Sequence, residues 1–577
     1  MSPFPSRGRA LGIAVSLLPF VLATGLGAGS RQAIPTDDRT IEHVLSRLTF
    51  GPRPGDLARV KAMGVEAFIE RQLHPELIDD RAAEARLAAF ETLDMSPGAI
   101  ARQYVQPAVM ARREAARRGQ PPAGAAPTGS ESPAPPPRAP GVAPMQAGPA
   151  LVVNELMQAK LVRAVYSERQ LQEVLVDFWF NHFNVFVGKG QVRQYLGAYE
   201  RDAIRPHVLG RFRDLLGEVA HSPAMLIYLD NWQSASPEAG RLPLARGRRA
   251  GPGPARPQGG NPARPAIAAR AARGLNENYA RELMELHTLG VDGGYTEADV
   301  VELARILTGW TIDRPFDGGG FVFRPAMHDS GGKRLLGTSF APAGESEGER
   351  ALDLLARHPS TARHIAFKLA QRFVADEPPA ALVERAARRF RETDGHLGEV
   401  VRAIVTSPEF FSTDRVRAKV KTPLEFVVSA VRVTGASLPT TQPLVQALRT
   451  LGMPLYGCQP PTGYSMTADA WINTGALLNR MNFAVALVEG RRMDAPAAAT
   501  GGQRPNQARR AGAGAANRPM RTDLALAPDV SAASQARTVD LVLGGQASDA
   551  TRATLARAET PQQLVALALG SPEFQRR

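Results

Sequence analysis

A single cysteine, Cys458, among 577 residues excludes an intramolecular disulfide framework and any multi-cysteine zinc site, so stability has to come from core packing. Nor does any stretch after the N-terminal region approach the length of apolar run that spans a bilayer. Lysine is absent from three segments, 111–150, 236–273 and 490–522, where Ala, Pro, Gly and Arg dominate and large side chains with apolar periodicity are scarce. These segments are expected to be disordered linkers. They carry twenty arginines against four acidic residues, a net of +16, so the chain total of +13 leaves the remainder at −3. The basic excess therefore belongs to the linkers. That argues against a nucleic-acid protein, whose charge would gather on a folded face or recognition helix beside stacking aromatics. It fits either adhesion to an anionic envelope surface of lipid or polymer, or drift toward GC-rich codons in segments that tolerate insertion.

What is present begins with a targeting pattern. Arg7 and Arg9 precede an apolar run from Leu11 to about Gly27, with the small residues Gly25, Gly27 and Ala28 near its end, so residues 1–30 read as a signal peptide. Export to the periplasm or the extracellular space is the expectation, with an uncleaved N-terminal anchor as the alternative. Pro19 and three glycines make this run a poor spanning helix.

The periodicity of the remainder is helical. Thr40 is placed to cap a helix carrying Ile41, Val44, Leu45 and Leu48, and Gly64 suits a stop after the apolar face of Leu57, Val60 and Met63. Leu171, Leu175, Phe178 and His182 share one face, so His182 is expected to point inward. Trp310 to Phe323 has β character, and a small β excursion is expected over 310–337. Ser407-Pro408-Glu409-Phe410 and Ser571-Pro572-Glu573-Phe574 each place Ser to cap a helix, Pro at its first position and Glu in its first turn. The fold class is mainly α: a multi-helix globular body over 37–489, interrupted by the first two linkers, with a C-terminal helical segment at 523–577 packing on it.

Several motifs carry a further signal. They are His43-Val44-Leu45-Ser46-Arg47-Leu48-Thr49-Phe50-Gly51, Phe178-Trp179-Phe180-Asn181-His182-Phe183, and the run from Asn276 to Gly290 that reads NENYARELMELHTLG. To these are added Leu307-Thr308-Gly309-Trp310, His328-Asp329, the run from His364 to Phe373, and Trp471-Ile472-Asn473-Thr474-Gly475. In these motifs the chain resembles the domain-of-unknown-function family 1800, large and often exported bacterial proteins. The resemblance covers most of the chain outside the linkers, and it implies no particular activity or catalytic residue.

Chemistry has to be sought in the residues themselves. On a helical wheel Glu282 and Glu285 share a face with Asn278 beside the apolar stripe of Leu275, Leu286 and Leu289, which predicts two partly buried carboxylates. Such a pair would bind a divalent cation or divide acid and base roles. The competing reading is that Glu277, Arg281 and Glu285 are i,i+4 ion pairs supporting a helix. His182, beside Trp179 and Asn181, reads either as a hydrogen-bonded core residue or as the polar floor of a pocket. His328-Asp329, followed by Ser330-Gly331-Gly332-Lys333, places a base, an acid and a cation on one turn, or else forms an Asx turn. Ser222 and Ser407, each ahead of a proline, read as caps, and nothing adjacent to Cys458 suggests an activated thiol.

Two functional expectations follow. The first is an envelope enzyme, a hydrolase, whose catalytic site gathers His182, Glu282, Glu285, His328 and Asp329, with Glu282, Glu285, His182 and His328 holding a divalent metal ion or sharing acid-base work. The second is a non-catalytic envelope binding or assembly protein attached through the Arg-rich linkers. Convergence of the five side chains in one pocket separates the two.

Overall fold

Many helices among the described residues are opened by a capping side chain or a proline in the first turn, and the long-range contacts then fix which faces meet. The computed structural model describes residues 34–118, 148–238, 274–490 and 527–577, of which Thr36–Arg577 belong to one compact unit. The expected signal segment, residues 1–30, and most of the three Arg-rich segments lie outside the described residues. One linker boundary moves, because the helix Gln106–Arg117 runs past 111. Ala and Arg are strong helix formers, and no proline interrupts them there.

Helix α1, Asp38–Leu48, is capped by Asp37, whose side chain accepts from the Thr40 amide, and not by Thr40 as expected. Gly64, at φ 90°, ends one helix and starts the next, which only a residue without Cβ does cheaply. The second block holds α2, Pro149–Tyr166, and α3, Gln170–His182. The third opens with α4, Glu277–Glu285, under an Asn276 cap, and α5, Glu297–Ile306, under a Thr296–Asp299 capping box.

The β excursion is two separate antiparallel hairpins. Strand β1, Trp310–Ile312, pairs with β2, Phe321–Phe323, and β3, Lys333–Leu335, pairs with β4, Thr338–Phe340, three residues beyond the expected end. Leu336 and Gly337, both at positive φ, make the tight turn of the second hairpin. Helices α6, Glu345–Arg357, α7, Pro359–Phe373, and α8, Ala380–Glu392, follow and pack in succession. Next come α9, Pro423–Val433, α10, Thr474–Glu489, and α11, Pro561–Gly570. The Ser-Pro-Glu-Phe segments each form a single turn and no helix: Ser407 Oγ accepts from the Phe410 amide and Ser571 Oγ from the Phe574 amide.

Buried polar groups tie the blocks together. The buried Arg432 guanidinium on α9 donates to Gly51 O at 2.6 Å and Val165 O at 2.7 Å, joining residues from three sequence blocks. Lys160, Asp177, Glu173, Glu200 and Arg205 form a second network in which Asp177 pairs with Lys160 at 3.0 Å. The C-terminal residues join through the Val420–Arg576 bridge and a 2.8 Å hydrogen bond from Arg480 to Gln575. Among the described residues no helix is long and apolar enough to cross a membrane.

Packing is tight where the hairpins meet α6. A Cβ built on Gly348 would lie 2.1 Å from Cζ2 of the fully buried Trp310. Alanine is intrinsically the better helix residue by about 0.5–1 kcal/mol, but it would force the indole aside. The Gly348→Ala variant is therefore expected to lose about 1–3 kcal/mol of unfolding free energy in urea titrations, with part recovered by adding Trp310→Phe.

Candidate functional site

The five expected site residues do not converge, because the fold places them around two separate centres. The first is walled by α3, the end of α4, α7 and the segment around 460–466. It is a cavity of about 130 Å³ lined by Phe178, Asn181, His182, Glu285, Leu286, Val291, His364, Lys368, Thr462 and Met466. Of the expected residues it gathers His182 and Glu285. Glu282 is half-buried on the same helix, as the wheel predicted, but does not line this cavity. Burial, and then Glu285, push the Glu282 carboxyl above its ordinary value.

His182 sits against the rings of Trp179 and Phe183, with His287 and His364 at centroid distances of 6.3 and 6.0 Å. Its Nε2 lies 3.2 Å from the His287 carbonyl, and the His364 Nε2 lies 3.3 Å from the Leu286 carbonyl. A carbonyl oxygen only accepts, so both Nε2 atoms carry the proton. The two imidazoles thus satisfy consecutive carbonyls that α4 leaves open where it ends. Their Nδ1 atoms have no hydrogen-bond partner among the described residues.

Both rings are held neutral. Burial, then His364, Lys368 and His287, keep the His182 imidazole well below its ordinary value. Burial and Lys368 bring His364 down to about 4. His287, fully buried behind them, is lowered to about 3 by burial and His364, and its Nε2 is unpartnered. Lys368, one turn along α7 from His364, is lowered by burial and forms no ion pair among the described residues. Glu285 accepts from the Tyr295 hydroxyl at 3.2 Å. The expected Arg281 ion pairs along α4 are absent, because Arg281 reaches across to Glu297 on α5. The 460s segment is pinned to α3 by Asn181, which donates to Tyr464 O at 2.8 Å and accepts from its amide at 2.7 Å. Gly463, at φ +72°, permits this approach, since a Cβ there would lie 2.2 Å from Asn181 O.

The second centre holds His328 and Asp329, and its polar groups are spent on structure. His328 Nδ1 donates to Thr308 O at 2.8 Å, and its Nε2 lies between Lys333 Nζ at 3.4 Å and Glu347 Oε1 at 3.3 Å. Lys333 and Glu347 are joined at 2.6 Å with both side chains wholly buried. Asp329 accepts from Arg305 Nε and Nη2 at 3.0 and 3.1 Å and from the Gly331 amide at 2.9 Å. The last of these is the Asx turn. No ring nitrogen or carboxylate oxygen is left over for a metal or a substrate.

A metal held by Glu282, Glu285, His182 and His328 is not supported. Among the described residues no group of three or more His, Cys, Asp or Glu side chains is arranged to hold an ion. His364 and Lys368 lie outside the five expected site residues, although the run from His364 to Phe373 is one of the family motifs. Their signal was the i,i+4 spacing of a base and a cation on an otherwise apolar helix face with Ile365 and Leu369. Gly344-Glu345-Ser346-Glu347-Gly348 also has the spacing of a hydrolase nucleophile elbow. Ser346 instead occupies the first turn of α6 and donates to Ala343 O at 3.0 Å, with no histidine bonded to it. Cys458 is buried and its thiol is pushed up to about 11 by that burial, so it is no nucleophile.

No curated protein and no solved structure matches the chain. A family model described as a protein of unknown function (DUF1800) matches residues 43–576. With nearly its whole length matched, the motifs around α1, α3, α4 and α7 included, the chain belongs to the DUF1800 family.

Proposed function

We propose that the protein is an exported hydrolase whose active site is the cavity between α3, α4 and α7, with His182 and His364 as its bases and Lys368 as its cationic group. One observation carries this reading. Two neutral imidazoles line the same cavity with their Nε2 protons fixed on carbonyls and their Nδ1 lone pairs unpartnered, next to an amine that has no carboxylate partner. Fixing the tautomer through one ring nitrogen is how a histidine base is oriented for work at the other.

In the hydrolytic step a water proton moves to Nδ1 of His182 while the water oxygen bonds to the acyl carbon. The carbonyl electron pair moves onto its oxygen, where the Lys368 ammonium opposes the new charge. Collapse of that intermediate breaks the bond to the leaving group, which takes the proton back from the imidazolium. Glu285, held by Tyr295, is placed to orient the water. Export rests on the N-terminal pattern of Arg7 and Arg9 ahead of the apolar run.

The pH–rate profile tests the reading. A base is active when unprotonated, and His364 is lowered to about 4 with His182 well below its ordinary value. So kcat/KM for a neutral ester is expected to stay level from about pH 8 down to about pH 5, where an unperturbed histidine near 6.5 would already be mostly protonated. It should fall only as the pH nears 4, with circular dichroism confirming that the fold persists. A midpoint of 6–7 would exclude these imidazoles as the bases.

A further inference from the structure

We infer that the substrate of this site is an apolar acyl ester, its uncharged acyl arm lying in a second, larger cleft that meets the catalytic cavity at His364 and Val291. The inference rests on the hydrolytic reading and adds the substrate class to it. The catalytic cavity, at about 130 Å³, is too small for a whole ligand, whereas the adjoining cleft is about 540 Å³, within the usual range for small-molecule sites. His364 and Val291 line both.

The walls of the outer cleft decide the chemistry. Leu289, Val291, Phe367, Pro378, Ala380 and Val383 line it. Val291 is 68% exposed and Phe367 36%, large apolar side chains left facing solvent on one cleft. Two of the polar side chains there have partners within the protein: Ser360 Oγ donates to Gly293 O at 3.0 Å, and Arg363, at the solvent edge, pairs with Glu384 at 3.0 Å. A sugar or peptide would leave its own hydrogen-bonding groups without partners against such walls. Asp292 and Arg363 line the same cleft with opposite charges, so it presents no net charge to hold an ionic arm. The charge complement lies at the inner end, where Lys368 faces the position of the scissile carbonyl. Hydrolysis there adds water across the acyl–oxygen bond, releasing an alcohol and a carboxylic acid; the acid gives its proton to solvent, and the resulting carboxylate lies beside the Lys368 ammonium.

The experiment is calorimetric binding of straight-chain carboxylates from butanoate to decanoate, with octanol as the uncharged control, to the full-length protein. Affinity is expected to rise about fourfold per added CH2. Lys368→Met should weaken octanoate tenfold or more and leave octanol unchanged. Ala380→Trp, at an exposed position on the outer cleft, should weaken octanoate and octanol alike. An affinity independent of chain length, or one that Ala380→Trp leaves intact, overturns the inference. If carboxylates bind in the expected pattern but neutral esters are not hydrolysed, the hydrolytic reading fails and the ligand class stands.

Discussion

Lys333→Met is expected to lower the unfolding free energy by about 3–5 kcal/mol, the cost of removing one partner from a buried ion pair and leaving the other charged. Lys333 and Glu347 meet at 2.6 Å with neither side chain exposed. Lys333 also donates to the Asp329 carbonyl and approaches His328 Nε2. It therefore joins β3, the turn before it and α6, and its loss leaves the Glu347 charge held only by His328 and the Ala343 and Gly344 amides. Chemical denaturation at neutral pH measures the loss. The sign of its pH dependence follows from Glu347, whose carboxyl is lowered although its burial acts the other way, because Lys333, the Ala343 amide and His328 bond it. A depressed carboxyl stabilises the fold fully above its unfolded value, near 4.5, and loses that contribution as the pH falls through its folded value. In the variant burial goes unopposed by the lysine and the carboxyl protonates earlier, so the gap between the two proteins should narrow on acidification. A gap that stays below 1 kcal/mol at pH 7 would mean that water replaces the lysine and that this centre does not hold the hairpin.

His182→Gln is expected to cut kcat by about 10²–10⁴-fold, the usual contribution of a positioned general base, while shifting the melting temperature little. The glutamine amide keeps a donor for the His287 carbonyl, which the imidazole Nε2–H serves at 3.2 Å in the native protein. What it removes is the basic Nδ1 lone pair. A structural role predicts the reverse pattern, with stability falling and the residual folded fraction turning over at the native rate. Measuring kcat per folded molecule beside the melting temperature distinguishes the two.

The contrast between these two centres shows how far the sequence carried. The period of α3 correctly turned His182 inward behind Leu171, Leu175 and Phe178, because 3.6 residues per turn fixes which side chains share a face. The same reasoning placed Glu282 and Glu285 at half burial on α4, and periodicity with local β character identified a helical body with a short β excursion. His328-Asp329 was legible as a turn. Its closed hydrogen bonding was not, since Glu347 and Arg305 arrive from α6 and α5.

Sequence by itself therefore determined the helices, their buried faces and the family motifs, all of which depend on neighbours within a few residues. Only the tertiary structure decided which inward-facing groups meet. His182 and His364 stand far apart in the chain, yet both bond carbonyls at the end of α4, with Lys368 one turn further along α7. Their meeting depends on the packing of three helices against one another, and no periodicity within one helix encodes which residue of another will face it.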